Sequence, residues 1–539
     1  MPINKFSHIF TDFSKNRQKN NALLPLIKDA NTKYLKNKNG LKILFGPSFP
    51  FGENFIYHDL LLALLLHSQG CEIYYAGGII NNISPSIYLG GQWSSGNKKT
   101  DFKKIKYGEL KALNDFKKLG KTYDMKKYLS KTEINKLKVN LAKIKFEDLL
   151  KYKFENIDLG HDAMNKVRNH HLVSSIDLVK NKRNLVREAL LNCNMYEIFF
   201  RKIIEELKPD RIISHDSFYY PWSVLRKIAD LKNINYYNYY FGFKKDEYIY
   251  ANNKPAMSLN TTPMWKKVKS VPLQESQIKK IDKTLKKRIN GDVGRLGLVR
   301  YSNSKEVEKI IKFAKQKPTA VLYGNVCWDL NALDKELFFK SIKEGYFKTI
   351  EYFLQHKNYQ LIIKSHPAEE HPKIPITVES LESMIKKKYG LLPKNIILLP
   401  PKTAITAYDL FPITNVSVVW TSTAGIESVI YNTPTITIAN THFRNKNFTL
   451  DPASQKEYYS ILEKVLIKKM HLAKKTKYLA YKYFYYYLNC FSYNYGIPTQ
   501  NWTEALSEDH KNKVNHFFEN KRLKYIVGTI VNGKKIELV

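Results

Sequence analysis

Three consecutive hydroxyl residues, Thr421, Ser422 and Thr423, stand between an apolar run, Val416 to Trp420, and a short segment carrying Gly425 and Glu427. The pattern reads as a buried strand, a tight turn and a helix start, with another strand beginning after Pro434. A helix start leaves backbone N–H groups without intrahelical partners, and its dipole favours negative charge there. Hydroxyl donors at that spot, with Gly425 letting a ligand come close to the backbone, make a seat for a phosphate. An ordinary strand-to-helix turn with an N-cap uses the same residue types, so the turn alone does not decide. A second stretch upstream shifts the balance: Leu361-Ile-Ile-Lys364 is another buried strand, and it ends on Lys364, Ser365, His366 and Pro367.

Other predicted strand ends in this half are polar too: Asn325 to Asp329, and the loop Thr441 to Lys446 with Arg444 at its centre. In a parallel sheet such ends share one edge, so a cation, an imidazole, hydroxyls, helix-start amides and a carboxylate can converge. That set fits a nucleotide mono- or diphosphate, with Lys364, His366, Thr421, Ser422, Thr423, Asn325 and Arg444 as donors. Glu427 would accept from a ribose hydroxyl pair. In the first half, the strand Asp210 to Ser217 ends on His215 and Asp216, a pair suited to a general base or to anchoring an acceptor hydroxyl. Asp216 capping the next helix is the alternative. Glu53, which follows Gly52 in a Pro- and Gly-punctuated loop, and His58 and Asp59 beyond it are further candidates, each equally readable as a cap or a solvated residue.

These positions require a particular set of elements. Strands are expected at Leu41–Gly46, Cys71–Ala76, 210–217 and 234–240, and again at 318–325, 359–364, 395–399, 416–420 and 435–439, with helices between them. Alternation of this kind implies parallel, doubly wound sheets, so the expected fold is α/β with two Rossmann-type domains in series facing a ligand cleft. Residues 1 to 40 read as a lead-in. Residues 41 to 250 form the first domain, with a Lys-rich helical insertion at 98–169, and 251 to 316 a linker with helices. The second domain spans 317 to 455, and 456 to 539 hold C-terminal helices. In that last part the Tyr-rich run 478–488 reads as a packed helix, and Asn532-Gly533 signals a tail hairpin.

Composition narrows the partners. The 539 residues include 88 Lys and Arg against 49 Asp and Glu, a formal charge of +39, which implies an anionic partner. Lys dominates over Arg and the basic residues are spread rather than clustered, so a nucleic-acid partner is not expected. Four scattered cysteines with no paired spacing read as free thiols in a reducing compartment. The N-terminus has no apolar signal core, and the most apolar run, Leu60 to Leu66, is too short to span a bilayer. A cytoplasmic protein, peripheral at an anionic inner-membrane surface, is the expectation.

Lys364-Ser-His-Pro367 together with Thr421-Ser-Thr-Ala-Gly-Ile-Glu427 and Asn432-Thr-Pro434 resembles the bacterial capsule polysaccharide biosynthesis glycosyltransferases. That group includes the capsule Kdo transferases, and bacterial sialyl- and polysialyltransferases carry a similar motif pair. Gly324-Asn-Val-Cys-Trp-Asp329, His366-Pro-Ala-Glu-Glu370, Arg444-Asn-Lys446 with Asp451-Pro452, and Lys456-Glu-Tyr-Tyr459 extend the resemblance to a surface-carbohydrate subgroup. The similarity covers most of 318 to 465 and is looser before it. It implies a GT-B fold, with the acceptor on the first domain and a nucleotide-sugar donor on the second. By the same resemblance His366 contacts the donor phosphate or nucleotide, Ser422 and Thr423 bind the phosphate, and a first-domain acid is the base, with Glu53 and Asp216 as candidates. Ser422-Thr423 departs from a strict Ser-Ser pair, which leaves a CMP-linked donor open. The implied activity is glycosyl transfer to a capsule, lipopolysaccharide or other surface glycan, or its lipid-linked precursor. The nucleotide-sugar acts as co-substrate, with no cofactor and no required metal. A nucleotide-sugar epimerase, a polyol-phosphate transferase and a non-catalytic basic membrane- or nucleic-acid-binding protein are the alternatives.

Overall fold

The computed structural model describes residues 32, 34–49, 53–79, 88, 94, 97–244, 247–290, 304–330, 333–370, 376–468, 470–494 and 518–536. The chain divides into two units. One comprises Met1–His171, Ile176–Ser258 and Ser492–Glu537; the other comprises Leu172–Ser175, Leu259–Phe491 and Leu538–Val539.

The first unit opens with β1 (Lys42–Phe45), α1 (Glu53–Ser68) and β2 (Glu72–Gly77), the expected βαβ start. The Leu60 to Leu66 run is buried all round α1, where every residue from Leu60 to Leu66 is at most 5% exposed. A helix apolar on all sides must be enclosed, and α1 packs against β2 and a C-terminal helix described below. Then come α2 (Lys98–Phe116), β3 (Lys121–Asp124), α3 (Lys131–Lys143), a short hairpin of β4 (Lys153–Phe154) and β5 (Ile157–Asp158), and α4 (Lys182–Leu207). The unit continues with β6 (Arg211–His215), α5 (Trp222–Leu231), β7 (Asn235–Phe241) and β8 (Glu247–Asn252).

The second unit contains α6 (Glu275–Ile289), β9 (Thr319–Tyr323), α7 (Ile342–Gln355), β10 (Gln360–Lys364), α8 (Leu381–Tyr389), β11 (Ile396–Leu399), β12 (Val416–Val419), α9 (Ala424–Ile430), β13 (Thr435–Thr437), α10 (Gln455–Ile467) and α11 (Lys474–Cys490). Its five strands run in the order β11-β10-β9-β12-β13, all parallel. Leu361, Ile362, Ile363, Val416, Val418 and Val419 are all fully buried, as continuous apolar runs in a parallel sheet covered on both faces must be.

The chain then returns to the first unit with β14 (Tyr493–Asn494) and α12 (Lys521–Val531), the helix that covers α1. The first sheet is thus β14-β8-β7-β6-β1-β2-β3, parallel from β7 to β3 and closed by antiparallel β8 and β14. Both parallel cores follow the doubly wound plan, in which the chain leaves one side of its first strand and resumes on the other. The switch points fall between β1 and β6 and between β9 and β12. The α/β class with two Rossmann-type sheets is as the sequence led us to expect.

Several expectations need correction. The Lys-rich 98–169 stretch is not a plain helical insertion: β3 within it is a strand of the main sheet, paired in parallel with β2. β8 is not among the expected strands: Glu247-Tyr-Ile-Tyr-Ala-Asn252, at the expected boundary between the first domain and the linker, has aromatic and β-branched residues suited to a strand and pairs antiparallel with β7. Among the described residues the tail forms no hairpin. Asn532-Gly533 terminates α12, with Gly533 at φ +63 and the Lys534 amide bonded back to Thr529 O, a helix-ending turn rather than a strand reversal. The C-terminal segment is also shared between the units rather than forming one piece. Most of the lead-in lies outside the described residues. The Tyr-rich helix is packed as expected: Tyr483, Phe484 and Tyr487 of α11 are buried, and Tyr481 donates to Asp282 on α6 at 2.6 Å.

Among the described residues no helix is long and apolar enough to cross a membrane. The four cysteines are free.

Candidate functional site

In the second unit, Tyr323 of β9 is level with Lys364 of β10 and Val419 of β12. The residues that follow all three therefore emerge together, across the switch point. Gly324 sits in a tight space: a Cβ there would lie 2.9 Å from Leu381 Cδ2 and 3.1 Å from Lys364 O. That close approach lets the Gly324 amide donate to Lys364 O at 2.8 Å and holds the β9 and β10 ends together. Asn325 closes the other side. Its backbone N–H donates to the buried Tyr346 hydroxyl at 2.8 Å, and its Oδ1 accepts from the Thr421 amide at 3.2 Å. The side chain bridges β9 to β12 at the switch point and leaves its Nδ2 group as the donor on that side.

Lys364 is buried at the end of β10. His366 is half-buried, and its Nδ1 accepts from the Ala368 amide at 3.1 Å. An accepting Nδ1 leaves the ring proton on Nε2, so the imidazole is a hydrogen-bond donor there. Thr421, Ser422 and Thr423 are all half-buried, with their hydroxyls at the same edge. Asn325, Lys364, His366 and the three hydroxyl residues are thus brought to adjacent strand ends.

The remaining predicted donor residues are placed differently. Gly425 does not open the backbone to a ligand: a Cβ there would meet Val419 Cγ2 at 2.9 Å, Phe443 Cζ at 3.1 Å and Thr435 Cγ2 at 3.1 Å, so the glycine serves to lay α9 on β12 and β13. The helix-start amides are partly used as well. Ser422 Oγ accepts from Ala424 N, Ser422 O from Gly425 N, and Thr423 O from Ile426 N. What the turn offers a ligand is chiefly hydroxyls. Glu427 is buried on α9 and accepts from Arg288 Nε of α6 at 2.5 Å. Arg444 staples its own loop, with Nη1 donating to Thr437 O and Oγ1 and Nη2 to Asp451 O and Pro452 O. Four acceptors around one planar fork hold that guanidinium away from ligand duty.

Sequence reasoning did not anticipate Glu369. This carboxyl is buried behind the His366-Pro367 turn, its Oε1 accepts from the Leu381 amide at 2.9 Å, and burial pushes it up to about 8. It caps α8 and so fixes the turn that carries His366. The His-Pro-Ala-Glu-Glu spacing was visible, but nothing in it says that the first glutamate turns inward.

In the first unit the comparable edge carries a buried network. Asp59, on α1, accepts from Ser48 Oγ just past β1 and from Tyr239 Oη of β7, each at 2.5 Å. His58 bonds Tyr250 Oη of β8 at 2.8 Å and packs against Tyr239, tilted by 34° with ring centroids 3.6 Å apart. His215, level with Tyr239 in the sheet, packs edge-on against it and against Trp222. Burial pushes Asp59 up to about 7 and holds His58 and His215 well below the usual imidazole range, so both rings are neutral. His58 and Asp59 are therefore neither caps nor solvated residues: both are fully enclosed. Asp216 points elsewhere. Its two oxygens accept from the Ala256 and Met257 amides at 2.9 and 3.0 Å, capping the turn after β8 rather than the following helix, and burial pushes it up to about 7. Glu53 opens α1, but its side chain lies outside the described residues. Among the described residues no group of three or more His, Cys, Asp or Glu is placed to hold a metal ion.

No protein-family model matches the chain, and no curated protein matches it. Among solved structures it is similar to the Thermosulfurimonas dismutans KpsC beta Kdo 2,4 transferase, at 10% identity and TM-score 0.33, over 51% of this chain and 80% of that one. It is also similar to the spinosyn rhamnosyltransferase SpnG, at 8% identity and TM-score 0.24, over 83% of this chain and 95% of that one. A third is the UDP-GlcNAc 2-epimerase from Neisseria meningitidis, at 10% identity and TM-score 0.20, over 91% and 99%. Likeness at these scores decides nothing about this chain, whose function has to be argued from its own residues.

Proposed function

We propose that the protein is a glycosyltransferase that moves a sugar from a nucleotide-activated donor to a surface glycan or its lipid-linked precursor. The donor would be seated on the carboxyl edge of the second unit's sheet. One observation carries the reading: Asn325, Lys364, His366 and Thr421 to Thr423 meet at the ends of three adjacent strands, at the switch point where open α/β sheets take their ligands. The assembled groups are donors and a cation, which suits a phosphate ester.

In the reaction the bond between the sugar's anomeric carbon and the nucleotide phosphate oxygen breaks, and a bond from the acceptor oxygen to that carbon forms. The electron pair leaves with the nucleotide, whose growing charge would meet the Lys364 ammonium, His366 Nε2–H and the turn hydroxyls. Donors fixed in advance for a developing charge are often the largest catalytic contribution. The acceptor's proton passes to a base. Glu53, His215 and Asp216 were the candidates read from sequence, and the enclosed Asp59 network supports that edge. Donor identity, acceptor, and the protein's place at an anionic inner membrane belong to the same proposal. No cofactor and no metal is part of it.

The test is thermal stabilisation by CMP, CDP, UDP, GDP and dTDP, repeated with His366→Ala and Ser422→Ala. A nucleotide at a hundred times its dissociation constant adds about 2.7 kcal/mol. One nucleotide raising the parent's Tm but neither variant's is the expected result, and it identifies the donor class. No shift with any nucleotide removes the donor site from this edge.

A further inference from the structure

The loops that feed β9, β10 and β11 carry lysines and no carboxylate. Lys315 and Lys317 precede β9, Lys357 precedes β10, and Lys394 precedes β11, all four exposed. The three strands are parallel neighbours, so the loops stand side by side at the amino end of the sheet, opposite Asn325, Lys364 and Thr421. Lys317 Nζ donates to Lys357 O at 2.7 Å, joining the first two loops while leaving both charges in place.

The last turn of α8 comes down to the same end before the chain enters β11. There Lys386 and Lys388 are paired with Glu382 and Glu351, whereas Lys387 is exposed and has no carboxylate within ion-pair distance among the described residues. Gly390 ends the helix at φ +65 and ψ −118, a backbone conformation open chiefly to glycine. The next residue, Leu391, is 98% exposed. This fully exposed apolar side chain lies at the same end of the sheet as the five lysines.

We propose that this amino-end rim of the second unit docks on an anionic lipid bilayer, with Leu391 entering the headgroup layer and Lys315, Lys317, Lys357, Lys387 and Lys394 facing lipid phosphates. Charge complementarity favours an anionic surface, and the fully exposed apolar tip favours lipid over nucleic acid. The rim also lacks what bases need: it has no arginine for bidentate contacts, and its exposed residues include no aromatic ring for stacking. Docking by this end leaves the polar strand ends on the far side of the sheet open. The docking surface deepens the membrane placement proposed above, and vesicle binding tests it without nucleotide or acceptor, so its failure is distinguishable from failure of the donor site.

The experiment is co-sedimentation of the purified full chain with vesicles of phosphatidylcholine alone or mixed equally with phosphatidylglycerol, at low and high salt. Binding is expected only to the anionic vesicles and only at low salt. A triple reversal, Lys315→Glu, Lys357→Glu and Lys394→Glu, should weaken it at least about a hundredfold, since each lysine charge removed near the surface costs about fivefold and the three new carboxylates add repulsion. Leu391→Ser should weaken it several-fold without changing net charge. The control is Lys136→Glu, Lys138→Glu and Lys143→Glu on α3, exposed positions that change net charge equally; it should keep most of the binding. Circular dichroism melts show whether each variant is folded. Equal loss in both triple variants, or equal binding to neutral vesicles, overturns the proposal. So does an oligonucleotide that binds through the rim while anionic vesicles do not.

Discussion

Arg288 and Glu427 make the sharpest energetic test of the second unit. They lie far apart in sequence, on α6 and α9, yet Arg288 Nε meets Glu427 Oε1 at 2.5 Å with side chains 18% and 5% exposed. Burial works against the guanidinium's charge, but Glu427 and Tyr408 together more than offset it, so the arginine is held even more firmly protonated than usual. The guanidinium also lies over the Phe484 ring of α11 at 5.7 Å, so three helices meet at this pair. Arg288→Met strands a carboxylate where water scarcely reaches. Removing one partner of a buried pair costs about 3–5 kcal/mol, and partial exposure of the arginine puts this case near about 3. For a unit of this size each kcal/mol shifts Tm by about 2–4 °C, so the single variant should melt about 6–12 °C lower. Arg288→Met with Glu427→Met, two apolar chains of similar reach, should recover most of the loss, because it removes the desolvation cost together with the attraction. Scanning calorimetry on the two singles and the double closes the cycle. Singles that melt with the parent, or a double that loses the sum of the two, would refute the argument. Nucleotide binding adds a second readout: if Glu427 also takes ribose hydroxyls, the nucleotide-induced shift vanishes in Glu427→Met and survives in Arg288→Met.

Two further outcomes follow from the buried polar groups. Burial pushes Glu109 up to about 8, above its value in the unfolded chain. The stability its proton contributes is therefore complete below about pH 4 and lost as pH rises towards 8, at up to about 1.4 kcal/mol per pH unit. The neutral His58 and His215 act in the opposite sense, since the unfolded chain binds their protons below about pH 6.5. Urea midpoints of the parent and Glu109→Gln between pH 5 and 8 cancel the histidines, and the difference should shift steadily in the variant's favour as pH rises; a constant difference would contradict the assignment. Arg444→Lys should loosen the Thr441–Asp451 loop by about 1–3 kcal/mol, because an ammonium cannot serve four acceptors in a plane. Amide exchange in that loop reads the effect, while the nucleotide-induced Tm shift should remain; its loss would restore Arg444 to the donor site.

The strands were legible where their chemistry was unambiguous. Val416–Val419 and Leu361–Ile363 are short apolar runs bounded by polar residues, and a parallel sheet covered on both faces demands that pattern. Where two rules competed, the sequence misled. β3 is Lys-Thr-Tyr-Asp, with a lysine and an aspartate at its ends because it lies at the sheet's edge, so a Lys-rich neighbourhood concealed it. β8 has good strand residues, but it turns straight back antiparallel onto β7 and takes its other partner, β14, from the far end of the chain, so the strand–helix alternation that reveals the parallel strands does not reveal it. Asn532-Gly533 is a strong turn signal, and a turn does form; what the dipeptide cannot say is whether a helix or a strand leads into it.

The site divides along the same line. A group at the carboxyl end of a parallel strand has its position set by the strand, so Asn325, Lys364, His366 and Thr421 could be gathered from local patterns together with one rule of topology. A group whose role depends on what it meets through the core could not. Glu427 beside a hydroxyl turn looks like a ligand for ribose until Arg288 arrives from α6, and Arg444 looks like a phosphate clamp until its fork closes on Asp451 and Pro452. Asp59 carries the lesson furthest. In sequence it is one aspartate near a helix start, with a cap or a solvated charge as its natural role. In the fold its neighbours are Ser48 and Tyr239, so the carboxyl ties the loop after β1 to β7 across the end of β6, where His215 sits. A full charge enclosed by aromatic rings is unfavourable, and sequence position alone offers no reason to enclose one; in the fold its two hydrogen bonds tie together strand ends that the chain brings side by side from distant positions.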